Sequence, residues 1–171
     1  SIFETIEAIP KYRRASLYFA LGCFAGIRPA ELHRLKINAI GSEYIRLDGC
    51  VTKTSDARVI PIEDNLRMWL DKYLPICKKI APLSERRMCN LIRDIRASAG
   101  VARWPHDCMR HSYASYHYER GKNASETAAN MGHAGTEVFF RHYRALSEPG
   151  EGLDFFSIYP KDNKKDNEIC K

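Results

Sequence analysis

The stretch GCFAGIRPAELHRLKINAI, residues 22–40, contains a helix end and a helix start with an arginine between them. Upstream, apolar residues at 15, 17, 18, 19, 21 and 24 describe a mostly buried helix over Lys11 to Ala25, stopped near Gly26. Pro29 suits the first turn of a second helix, because a proline there gives up no N–H that the helix needs. The pattern carries that helix through AELHRLKINAI, with Leu32, Leu35 and Ile37 facing inward. Arg28 therefore sits at a junction of two helices, close to a helix N-terminus, where an anion is favourably held.

Beyond this junction the periodicity changes. EYIRL and ARVIPI alternate, are rich in β-branched residues and flank CVTKTSD, so a small antiparallel sheet is expected with Lys53 on or near its hairpin. Helices resume with EDNLRMWLDKYL, whose Glu63 and Asp64 suit a first turn, and again over roughly Leu83 to Ala99, stopped by Gly100. MRHSYASYHYERG, NASETAANMGH and TEVFFRHYRAL read as three further short helices. In the last of these, Phe139, Tyr143 and Leu146 share one helical stripe. The tail GLDFFSIYP holds an apolar patch, and KDNKKDNEICK reads as frayed. The fold class is mainly α with one small antiparallel β element.

The 171 residues carry a net charge of +6, unevenly placed. Residues 148–171 hold four Lys against six Asp and Glu, a net of −2, which leaves +8 on residues 1–147. A basic body of this kind suits a partner made of phosphates. No apolar run approaches a membrane span. The six cysteines are too scattered for a C-x-x-C zinc site and suit reduced thiols in a cytosolic protein. SIFETIEAIPKYRR has neither a signal-peptide layout nor an initiator Met, which points to an excised domain of something longer.

Four separated pieces then line up. GIRPAEL supplies Arg28 and Glu31, TKTSDARVIPI supplies Lys53, MRHSYASYH supplies Arg110, and MGHAGTEVFFRHY supplies His133 and Tyr143. The order Arg, Lys, Arg, His, Tyr resembles the catalytic domain of the tyrosine recombinases, the phage-integrase family, from about residue 13 to about residue 146. The chemistry is coherent in its own terms. Two guanidiniums clamp the non-bridging oxygens of a phosphodiester under attack more effectively than one ammonium. Lys53 can protonate the departing 5′ oxygen, and Tyr143 can attack phosphorus and hold the 3′ end as a phosphotyrosine. The resemblance implies that His133 hydrogen-bonds the phosphate. Glu31, three residues past Arg28 on one helix face, is expected to orient a neighbouring group.

Two departures stand out. The family usually has His three residues before the second Arg, where this chain has Asp107, and His106 lies one step earlier; either residue is a candidate for the proton-acceptor slot. His133 and Tyr143 are ten residues apart, where nine is common in the family.

The resemblance implies site-specific recombination or integration of DNA by strand breakage and rejoining, with no metal, cofactor or ATP. A type IB topoisomerase and a catalytically inactive DNA-binding module are the alternatives. It implies double-stranded DNA as partner, a homotetramer on DNA in the full-length protein, and a prokaryotic cytoplasm or nucleoid. Residues 1–147 would form the catalytic domain and 148–171 a C-terminal tail, with the N-terminal core-binding domain absent from this chain. The tail patch of Leu153, Phe155, Phe156 and Ile158 suits docking on a neighbour or packing in cis.

Overall fold

The structure is a computed structural model that describes residues 1–51, 57–133, 135–137 and 147–161. Lys53, Tyr143 and the helix expected over 136–146 lie outside the described residues, apart from positions 136 and 137.

The core is built on α2 (Ser16–Phe24), where every residue is buried. A helix apolar all round must be enclosed on all sides. It is packed by α1 (Ile2–Ala8), α3 (Pro29–Arg34), α4 (Asp64–Tyr73) and α6 (Cys108–Gly121). Phe3 of α1 stacks on Phe24 of α2 at 4.9 Å between ring centroids and meets Trp69 of α4 at 4.8 Å. α1 starts with a capping box in which Ser1 and Glu4 satisfy each other's backbone N–H groups.

The helix expected over Lys11–Ala25 divides in two. Pro10–Ala15 is a 3₁₀ segment, with Pro10 at its start, and the α-helix begins at Ser16. The second expected helix is also shorter than its pattern, since α3 ends at Arg34 and Leu35 is extended (φ −68°, ψ 127°). Leu32 and Leu35 are buried as expected, but Leu35 arrives in the core from extended backbone, and a 3₁₀ turn, Ile37–Ala39, follows.

Strands β1 (Tyr44–Leu47) and β2 (Arg58–Pro61) pair antiparallel, as the alternation foretold. Ile45 pairs with Ile60, both fully buried, and Leu47 pairs with Arg58. Side chains two apart in a strand share a face, so Arg58 faces inward with Ile60 while Val59 is exposed. α5 (Glu85–Ser98) buries Met88, Leu91 and Ile95, and α7 (Ala124–Met131) follows α6.

The described part of the tail, up to residue 161, packs in cis. α8 (Glu151–Phe156) lies on α6, with Phe155 stacked on Tyr116 at 4.5 Å and Phe156 buried under the Arg120 guanidinium at 4.2 Å. Glu119 accepts the N–H groups of Gly150 and Gly152 at 3.2 and 2.9 Å. Further on, Trp69 donates to the Ile158 carbonyl at 3.0 Å and Glu7 accepts the Lys161 N–H at 2.8 Å. Leu153 stays 62% exposed. No helix among the described residues is long and apolar enough to cross a membrane.

Candidate active site

The site is assembled where four chain segments meet: the Gly26–Glu31 corner, the start of β2, the start of α6 and the C-terminus of α7. The corner needs Gly26. Its φ is +62°, a left-handed value glycine adopts freely, and a Cβ there would lie 2.5 Å from the Tyr113 ring. The turn leaves Arg28 extended and half-buried immediately before Pro29 opens α3.

Glu31 is fully buried and reaches back to this arginine. Its Oε2 accepts the Arg28 backbone N–H at 3.0 Å, and its Oε1 accepts Arg28 Nη1 at 3.1 Å. The expectation that Glu31 orients a neighbour thus has a concrete geometry. Arg58, which the sequence reading passed over, completes the arrangement. It donates to both Glu31 oxygens, at 3.0 and 2.6 Å, and through Nε to the Asn130 carbonyl at 3.1 Å. A signal for it existed, since strand alternation places Arg58 on the inward face of Ile60, where a charged residue needs a partner. Burial alone would push the Glu31 carboxyl up, but the hydrogen bonds and charges of Arg58 and Arg28 outweigh it and hold the group below the usual carboxylate range.

Arg110, in the first turn of α6, is 3% exposed. It donates 2.6 Å bonds to the carbonyls of Gly26 and Met131, and its Nη2 lies 3.0 Å from His133 Nε2. Arg110 is therefore fastened two residues from Arg28 and beside His133. The α7 end is a Schellman motif, with Gly132 N–H bonded to Ala129 and His133 N–H to Ala128, both at 2.9 Å. Gly132 has a φ of +66°, and a Cβ on it would lie 3.1 Å from the Arg58 guanidinium. Two buried arginines thus satisfy carbonyls at the helix end that carries His133, where the helix dipole favours cations.

Asp107 stands immediately before α6 with a left-handed backbone, φ 54°. It lines a pocket of about 370 Å³ together with Arg28, Tyr18, His33, Glu85 and His106. His106 is 94% exposed in its side chain and lies 3.4 Å from the Asp107 carboxylate. Both candidates for the proton-acceptor slot therefore border the pocket of Arg28, and Asp107 is the more enclosed. His33 also borders a second groove of about 570 Å³, rimmed by Arg34, Lys36, Lys78 and Lys79. Basic side chains therefore line the groove next to the pocket of Arg28. No group of three His, Cys, Asp or Glu side chains among the described residues is arranged to hold a metal ion.

Of the sequence-derived candidates, Arg28, Glu31, Arg110 and His133 come together, with Asp107 and His106 at the pocket beside Arg28; Lys53 and Tyr143 lie outside the described residues.

Known proteins resemble the chain in both sequence and fold. It is 29% identical to the tyrosine recombinase XerA of Pyrococcus horikoshii, over 88% of this chain and 60% of that protein. It is also 29% identical to XerA of Pyrococcus furiosus, over 81% of this chain and 54% of that protein. The chain thus spans little more than half the length of these relatives. The crystal structure of XerA recombinase superposes with a TM-score of 0.68 at 17% identity, over 90% of this chain and 59% of that one. The XerH site-specific recombinase bound to palindromic difH substrate gives 0.69 at 19%, over 90% and 49%. The Tn1549 transposon integrase in complex with circular intermediate DNA gives 0.63 at 13%, over 90% and 61%. These likenesses establish the fold as that of tyrosine recombinase catalytic domains. Residues 1–149 match the phage integrase family, and the chain belongs to it.

Proposed function

We propose that the chain is the catalytic domain of a site-specific recombinase that breaks and rejoins double-stranded DNA through a 3′-phosphotyrosine, without metal or ATP. The observation that carries this reading is the fastening of Arg110 to Gly26, two residues from Arg28, and to His133. One permanently charged guanidinium sits on the Gly26–Glu31 corner and a second is bonded to its backbone, and such charges would stabilise the non-bridging oxygens of a pentavalent phosphorane-like transition state. Glu31 adds one negative charge there, but Arg58 balances it.

In the proposed reaction the Tyr143 phenol oxygen attacks phosphorus and the bond from phosphorus to the 5′ oxygen breaks. A phenol of pKa about 10 is only about one part in a thousand ionised at pH 7, so a base must take its proton as the new bond forms. Asp107 is the assignment supported best, because its carboxylate is the more enclosed of the two candidates beside Arg28. Lys53 gives its proton to the departing 5′ oxygen, and His133 hydrogen-bonds the phosphate. The phosphotyrosine conserves the energy of the broken ester, so a 5′ hydroxyl reseals it by the reverse steps with no nucleotide consumed. In the full-length protein a homotetramer on two DNA sites would exchange strands in a prokaryotic cytoplasm or nucleoid.

The test uses the full-length natural protein with nicked DNA from its own element's ends, in chelator and without nucleotide. Wild type is expected to form a detergent-resistant protein–DNA adduct and Arg110→Gln to form at least about 10²-fold less. Relaxation of supercoiled DNA without strand exchange would support the topoisomerase reading. Tight binding with no adduct would support an inactive module.

A further inference from the structure

Arg58 balances Glu31 in this reaction scheme but touches neither the phosphate nor a reacting atom. Its three guanidinium nitrogens are committed inside the protein, two to Glu31 and one to the Asn130 carbonyl. Its side chain is 8% exposed, and that of Glu31 is 0% exposed. A residue so enclosed acts on DNA through others.

Glu31 divides its oxygens evenly. Oε1 receives Arg58 Nη1 and Arg28 Nη1, and Oε2 receives Arg58 Nη2 and the Arg28 N–H. One carboxylate facing two guanidiniums leaves one positive charge over, and Arg28 is the more exposed of the pair, at 22% against 8%. Without Arg58 the same carboxylate would cancel Arg28. It would also draw Arg28 inward, because a buried carboxylate left with one cation takes everything that cation can give. Arg58 contacts the other half of the site as well, bonding Asn130 and packing on Gly132, the residue before His133. In the sequence it opens the strand five residues after Lys53.

We infer that Arg58 is a positioning residue of the recombination site: it neutralises Glu31 so that the charge of Arg28 remains available to the scissile phosphate, and it ties Arg28 to the α7 end that bears His133. This inference rests on the recombinase reading above. It makes Arg58 necessary for the chemical step while assigning it no contact with DNA.

The experiment compares full-length wild type, Arg58→Met and Arg58→Lys on nicked DNA carrying either an ordinary scissile phosphate or a methylphosphonate. The methylphosphonate replaces a charged oxygen with a methyl group, so it removes the charge that Arg28 would meet. On phosphate, Arg58→Met is expected to lose at least about 10²-fold in the rate of adduct formation, with DNA affinity within about threefold of wild type. Arg58→Lys, which keeps the charge but loses the fork, should fall between them. On methylphosphonate the loss in each variant should shrink to about tenfold or less. Equal losses on both substrates would reduce Arg58 to a fold-supporting residue and overturn the inference, as would an Arg58→Met variant as fast as wild type. Should Arg58→Met fail to fold, Arg58→Lys carries the same comparison alone. A wild type that forms no adduct on phosphate overturns the recombinase reading and this inference with it.

Discussion

Nη2 of Arg110 lies 3.0 Å from Nε2 of His133. A guanidinium has no acceptor, so the imidazole nitrogen must accept, and His133 holds its ring proton on Nδ1 in this arrangement. A phosphate entering here competes with His133 for the Arg110 proton. If His133 is to donate from Nε2 instead, the ring must gain a proton there or turn over. The same guanidinium pins Gly26 and Met131, so geometry and stability are joined in one side chain.

Arg110→Lys should therefore fail on both counts. One ammonium cannot span the Gly26 and Met131 carbonyls and also meet His133. The variant is expected to lose about 2–4 kcal/mol in urea denaturation, and adduct formation should fall about 10²-fold. A stability equal to wild type would contradict the buried hydrogen bonds.

Glu31 makes a prediction in pH. Its carboxyl is held below its ordinary value in the native state, so the unfolded chain binds that proton more readily. The stabilisation is complete above the unfolded value of about 4.3 and is lost as pH falls through the lower native value. Glu31→Gln should be less stable than wild type at pH 7. The gap between their urea midpoints should narrow steadily below about pH 4. A gap that stays constant to pH 2 would contradict the assignment.

The tail should be separable from the core. A Cβ at Gly152 would lie 2.5 Å from Glu119 Oε2 and from the Tyr116 carbonyl. Gly152→Ala should therefore lift α8 off α6, and Phe156→Ala, which empties a buried aromatic site, should cost about 3–5 kcal/mol at most. In hydrogen exchange, amides of residues 151–156 are expected to lose protection while those of α2 keep theirs. Unchanged protection in Gly152→Ala would show that the packing is looser than described.

The groove beside His33 offers Lys78 and Lys79, both exposed, as phosphate contacts. Replacing both with Ala should weaken binding of unrelated DNA sequences equally. It should also reduce the slope of log K against log salt by up to about two. An unchanged slope would place the DNA elsewhere.

How far the sequence reading reached follows from the range of the forces involved. α4, α5 and α6 were legible because amphipathic or bounded runs are local signals, and β1 and β2 because alternation is too. The stop of α3 at Arg34 was not legible. No Gly or Pro marks it, and the chain extends at Leu35, which is buried. The helix in the tail was hidden in a six-residue run whose partners, Tyr116 and Glu119, lie more than thirty positions away. Arg28, Glu31, Arg110 and His133 could be singled out as candidates because each lies in a short motif that carries the family resemblance. Arg58 was passed over, and its partners Glu31 and Asn130 stand 27 and 72 positions away.

The central claim is that Tyr143 carries the DNA. The most direct measurement is to trap the full-length protein on nicked DNA, digest the denatured adduct and map the DNA-linked peptide by mass spectrometry, with Tyr143→Phe alongside. The account predicts a 3′-phosphate linkage on Tyr143, absent from Tyr143→Phe, which should still bind DNA with wild-type affinity. A linkage on any other residue, or an adduct that survives in Tyr143→Phe, would contradict it.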